Sequence, residues 1–188
     1  MITGCFESFA DITENSLRHA LAEYGVEISE DNLRSLMTAY DSLSAFPDVK
    51  PTLEQLGSAP NITAVVFSNG TETMVSNSVH RSASLSHTAK VFHDIVTVDS
   101  VAEYKPTPAA YGHLAKRMGK SPSQMNELWL ISGNPFDIIG AKNMGMNAIW
   151  IDRKGGGWVD ACLPHLQPTA VVNNLEQIVE VLLNSHGD

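Results

Sequence analysis

The chain has 188 residues and carries 12 Lys and Arg against 21 Asp and Glu, a formal net charge of -9. That balance argues against a nucleic-acid partner, because phosphate-backbone binding needs clustered cations. The hydrophobic content of 43% suffices to bury a core, but no apolar stretch is long enough to span a bilayer, so no membrane partner is expected.

The length suits one domain with a small accessory piece. Two cysteines, Cys5 and Cys162, imply no framework of bridges, so a reducing compartment is expected. The start, from Met1 to Glu7, lacks a basic region followed by an apolar run. No signal peptide is expected, and the cytoplasm is the default location.

The first elements in chain order are helical. Asp11 and Thr13 are N-cap candidates for a helix with Leu17, Ala20, Leu21 and Tyr24 at helical spacing, stopped by Gly25. Ser29 is the cap of a second helix, with Leu33, Leu36, Met37 and Tyr40 on one face. Phe46-Pro47-Asp48 marks a break, and a short helix is expected over 52–56.

From residue 62 the pattern changes. Short runs rich in β-branched residues are expected as strands at 62–67, 93–98, 128–131, 147–151 and 169–172. Between them, helices are expected from Thr71, over 108–118 with Gly119 just beyond, over 136–144, and over 175–183. Strands alternating with helices predict an α/β fold, a parallel sheet covered on both faces. In such sheets the site lies beyond the carboxyl ends of the strands.

Three polar clusters sit at such positions. Ser68-Asn69-Gly70 follows the first strand, where a hydroxyl, an amide and the free N–H groups of a helix start suit an anion. The same residues equally suit a turn and a helix cap. Lys105 lies on a lead-in stiffened by Pro106 and Pro108, from which a fixed charge can be aimed into a site, although most lysines are simply solvated. Ser132-Gly133-Asn134 ends the third strand, and Asp137 follows in the first turn of a helix, where a carboxylate also serves as an ordinary capping group.

Together, and in this order, the three clusters resemble the haloacid dehalogenase (HAD) superfamily, and within it the type II 2-haloacid dehalogenases. Ser68-Asn69-Gly70 looks like the family's second motif. Tyr104-Lys105-Pro106-Thr107-Pro108 with Tyr111 looks like its third, and Ser132-Gly133-Asn134-Pro135-Phe136-Asp137 followed by Gly140-Ala141-Lys142 looks like its fourth. Residues 145–153 continue the similarity. The resemblance implies a HAD-type, Rossmann-like parallel sheet flanked by helices, with a partial helical cap. It divides the chain into a cap remnant over 1–48 and a Rossmann-like core over 49–188.

The resemblance also implies covalent catalysis, in which an aspartate displaces halide from a small 2-halo carboxylate and water hydrolyses the ester. Ser68 and Asn69 would bind the substrate, and Tyr111 and Ser132 would complete the pocket. Lys105, Asn134 and Asp137 would be catalytic, with Lys105 neutralising carboxylates and Asp137 orienting Lys105 or the hydrolytic water. No cofactor is expected. Phosphatases of the superfamily carry a Gly-Asp pair in the fourth motif to hold Mg²⁺, whereas this chain has Gly133-Asn134. The seven histidines show no paired ligand spacing, so zinc is not suggested.

One departure matters. The family's first motif, an apolar strand ending in the nucleophilic Asp, should precede the cap, and no segment of this sequence fits it. That strand is central in the family's sheet, so the strands ending at Phe67 and Ile131 would lack their shared neighbour and present unpaired edges. They could close up, pair with another chain in a homo-oligomer, or take residues 1–6 as a substitute. Two readings follow: a 2-haloacid dehalogenase-like hydrolase impaired by the absent nucleophile, or a catalytically inactive relative or fragment that binds a small carboxylate or another chain.

Overall fold

The computed structural model of the chain describes residues 5–40 and 43–185. It is an α/β fold of parallel strands flanked by helices. Two compact units divide it: one holds the chain up to Ala45 together with Thr63–Ala102, the other Phe46–Ile62 together with everything from Glu103. The chain is thus partitioned differently from a single boundary at residue 48, and cap and core remain a proposed division.

In the first unit, α1 (Phe9–Glu23) and α2 (Glu30–Ala39) form a hairpin. The cap of α1 is Ser8, whose hydroxyl accepts from the Asp11 N–H, not the expected Asp11 or Thr13. Ser8, with extended backbone, can present its oxygen to the first turn, whereas Asp11 and Thr13 lie inside the helix. Ser29 caps α2 as expected. No residue of α1 is buried, and Leu33 is the buried residue of α2. Ser78 and Ser84 donate to the backbone carbonyls of Tyr40 and Leu43, tying the end of this hairpin to the strand-bearing part of the unit. That part comprises β1 (Ala64–Ser68), α4 (Glu72–Arg81) and β2 (Phe92–Thr97), with β1 and β2 parallel and Ser68 opposite Thr97.

The second unit contains α3 (Val49–Gly57), α5 (Pro108–Arg117), β3 (Trp129–Ser132), α6 (Pro135–Asn143), β4 (Asn147–Ile151), β5 (Ala170–Val172) and α7 (Ile178–Asn184). Helix α3 begins three residues before the expected 52–56, because Pro51 fits its first turn. The strands form a parallel sheet in the order β3-β4-β5. Ile149, Ile151, Val172, Ile178 and Leu182 form the core between this sheet and α7, with Leu56 of α3 against it. Each such fully buried side chain contributes about 1.5–3 kcal/mol.

The strands therefore fall in two separate sheets, and β1 and β3 are edge strands of theirs. Of the segment offered as a substitute strand, Cys5 and Phe6 are not in a strand, and residues 1–4 lie outside the described residues. Two 3₁₀ segments, Ser86–Val91 and Pro122–Glu127, went unforeseen because they are too short to set up a period.

Candidate active site at the strand ends

The carboxyl end of β3 gathers a polar cluster. Asp137, in the first turn of α6, is 4% exposed. Its Oδ2 accepts from the Ser132 hydroxyl at 2.9 Å. Its Oδ1 lies 3.1 Å from the Lys105 ammonium, and both side chains are under a tenth exposed. Oδ1 accepts no directed hydrogen bond, so it contributes to this contact by charge. Lys105 reaches the cluster from the loop before α5, across a cis peptide to Pro106.

Ser132 also accepts the Asn134 N–H at 3.0 Å, fixing the turn into α6. Asn134 occupies the cap position of α6, but its side chain is exposed and makes no cap bond. Pro135 follows, and its missing N–H costs nothing at a first helical position.

Tyr111, expected to complete the pocket, is fully buried. Its hydroxyl donates to the Asp137 carbonyl at 3.1 Å, so it braces the cluster from behind instead of lining it. Burial pushes its phenol well above the ordinary value, and the Asp137 charge adds to this. The phenol therefore stays a donor. Gly140 lets it approach: a Cβ there would overlap the Tyr111 hydroxyl and ring.

The first unit carries the other polar strand end, Ser68-Asn69-Gly70. The Ser68 hydroxyl accepts the Gly70 N–H at 3.0 Å. At the start of α4, the Met74 N–H goes to the Thr71 hydroxyl, the Val75 N–H to the Thr71 carbonyl, and the Glu72 N–H to the Asp99 carboxylate at 3.1 Å. Most of the donors supposed free are thus spent within the chain. Asp99 places a negative charge where an anion would sit, and its sequence separation of 27 residues hid this contact.

Three further features were missed. Asp48, taken only as a helix break, is 8% exposed and accepts from the Leu175 N–H and from Arg153. Burial opposes its charge, but the Leu175 N–H and Arg153 outweigh that and hold its carboxyl below the usual range. Arg153 also lies over the Phe46 ring, 4.1 Å from its centre. Asp152, 5% exposed, accepts the N–H groups of Gly156 and Gly157. Trp150 and Trp158 meet edge to face, 5.1 Å apart. Adjacent Asp152-Arg153 after an apolar strand was the available signal.

A groove of about 570 Å³ in the second unit, lined by Gly112, Lys116, Lys120, Met125 and Met144 among others, includes none of the cluster. Its Lys120 is already paired with Glu127. The buried Lys105–Asp137 pair is the better candidate centre, because two charged side chains drawn out of water at a strand end are costly to place there without a use. Among the described residues, no three His, Cys, Asp or Glu side chains converge as a metal would require. No helix among them is long and apolar enough to cross a membrane.

The fold and the site together define an α/β protein of parallel strands with a buried lysine–carboxylate pair beyond a strand end. Residues 3–145 match the family model described as haloacid dehalogenase-like hydrolase. The chain is 34% identical to (S)-2-haloacid dehalogenase 4A of Burkholderia cepacia, over 80% of this chain and 62% of that protein. It is 28% identical to a (S)-2-haloacid dehalogenase of Pseudomonas fluorescens, over 98% of this chain and 76% of the relative. A crystal structure of an L-2-haloacid dehalogenase superposes with a TM-score of 0.82 at 27% identity, covering 95% of this chain and 74% of the other. The chain belongs to the haloacid dehalogenase-like hydrolase family, and it spans roughly two thirds to three quarters of the length of these relatives.

Proposed function

We propose that the chain serves hydrolytic dehalogenation of a small 2-halo carboxylate. The buried Lys105–Asp137 pair, locked by Ser132 at the carboxyl end of β3, carries this reading. In the relatives named 2-haloacid dehalogenases the substrate class is given by the name. In this chain Lys105 is the fixed cation for a carboxylate, Asp137 orients it, and Asn134 is the exposed amide beside it. Ser132 and Tyr111 hold the centre in place.

The reaction needs an aspartate oxygen to attack C2, expelling halide and leaving an ester. Water then adds to the ester carbonyl, releasing the 2-hydroxy acid and restoring the carboxylate. None of the 188 residues takes the nucleophile's place in this reading, so the attacking carboxylate is one supplied to the Lys105–Asp137 centre from elsewhere, with β3 as the sheet edge beside it. A second reading is a binding protein without turnover, for which the exposed Asn134 amide and the buried Lys105 ammonium would supply the carboxylate contacts.

Halide release from L-2-chloropropionate by the purified chain separates the two, with binding followed by calorimetry in wild type, Lys105→Ala and Asn134→Ala. Each variant's fold is checked by circular dichroism. Release that Lys105→Ala abolishes supports the hydrolase. Binding without release, weakened by both substitutions, supports the second reading. Binding indifferent to both overturns the assignment of this cluster as the carboxylate site.

A further inference from the structure

The loop leaving β4 is built to hold a shape. Gly155 and Gly157 have φ of +67° and +77°, a conformation that side chains resist. The Asp152 carboxylate, one residue past the strand, takes the N–H groups of Gly156 at 3.3 Å and Gly157 at 2.7 Å. Its backbone is fixed as well: its N–H donates to Val172 at 2.7 Å, and its carbonyl accepts from the Asn173 amide. A buried carboxylate spent on two glycine N–H groups commits the chain to one turn.

That turn delivers Trp158 onto Trp150, with the rings at 81°. Trp150 lies opposite Ser132 in the β3–β4 register, so their side chains leave the sheet on the same face. The pair of indoles therefore stands next to the residue that grips Asp137. Both indole N–H groups are shielded from solvent, and neither has a hydrogen-bond partner. Buried indoles usually find one. An edge-to-face pair can satisfy one donor on the other ring, which leaves the second available to a ligand.

We propose that Trp158, pinned on Trp150 by the Asp152-anchored loop, is a specificity-determining residue. It walls the Lys105–Asp137–Ser132 site on the β4 side and limits the alkyl group of the 2-halo carboxylate. This rests on the carboxylate-site reading above. A bulky, fixed aromatic wall accepts short chains and rejects longer ones, as hydrophobic pockets discriminate by methylene.

The test is calorimetric binding of 2-chloroacetate, 2-chloropropionate, 2-chlorobutanoate and 2-chlorohexanoate to the full chain, with tryptophan emission recorded alongside. Wild type should lose about tenfold or more in affinity between 2-chloropropionate and 2-chlorohexanoate. Trp158→Ala should flatten that profile to within about twofold. Trp158→Phe should keep the profile but show diminished quenching of emission on binding. An unchanged profile in Trp158→Ala, or undiminished quenching in Trp158→Phe, overturns the wall. If Lys105→Ala still abolishes binding, the carboxylate reading survives that failure. No binding to wild type by any of the acids overturns both.

Discussion

The two units use their charged and polar side chains in opposite ways. In the first, Arg18 bridges Glu14 and Glu30 across the α1–α2 hairpin with all three side chains well exposed. Ser68 closes a local turn, and exposed Asp99 caps α4. In the second, Lys105–Asp137 and Arg153–Asp48 draw their carboxylates almost wholly out of water. Exposed pairs contribute little, because solvent screens them and long side chains must be ordered. A buried pair adds little net stability when intact but is costly to break, since removing one partner strands the other's charge. The lesson is that the second unit, not the first, has its fold and its candidate chemistry locked together.

The largest effect should come from breaking the deepest pair. Lys105→Ala leaves Asp137 charged, buried and held only by Ser132 on its carboxylate. The expected loss is about 3–5 kcal/mol in urea unfolding. A loss under about 1 kcal/mol, the scale of an exposed pair, would place Lys105 in solvent and erase the contrast between the units.

Asp48 gives the next effect and a pH signature. Asp48→Asn removes a charged acceptor shared by Arg153 and the Leu175 N–H, an expected cost of about 1–3 kcal/mol near neutral pH. Because the folded carboxyl is held below its usual value, its contribution is complete above the unfolded carboxylate range of about 4. It is lost as the pH falls through the folded value. The gap between wild type and Asp48→Asn should therefore close on acidification from about pH 4 downward. A constant gap would mean that the Asp48 charge does not stabilise the fold.

Much of this was legible before any coordinates. Strand β4 starts and ends where the apolar run does, and α5 is bracketed by Pro108 and Gly119 as its pattern demands. Lys105, Ser132 and Asp137 could be singled out because each lies in a short motif whose neighbours are also in the motif. What could not be read lies in contacts between distant residues. Asp48 meets Arg153 across 105 positions, and Asp99 meets Glu72 across 27. Neither pair has a local signature, since a carboxylate before a helix looks the same whether it caps that helix or crosses the unit. Tyr111 was assigned to the pocket for the same reason: the motif gives its place in the chain, while Gly140, which gives it room beneath α6, lies 29 residues away.

The finest comparison sets the two strand-end serines against each other. Both accept an N–H two residues on, Gly70 for Ser68 and Asn134 for Ser132, at 3.0 Å each. Sequence alone makes them equivalent. Ser132 differs in also donating to the buried Asp137 carboxylate, and hydrogen bonds to charged groups contribute about 1.5–3 kcal/mol where neutral ones contribute about 0.5–1.5. Ser132→Ala should thus cost about 1 kcal/mol more than Ser68→Ala in unfolding free energy. The excess should vanish in an Asp137→Asn background, because the charge-assisted bond is then gone. Equal costs in the wild-type background would mean that the hydroxyl of Ser132 serves only its turn, and that Asp137 is aligned by Lys105 and the helix start alone.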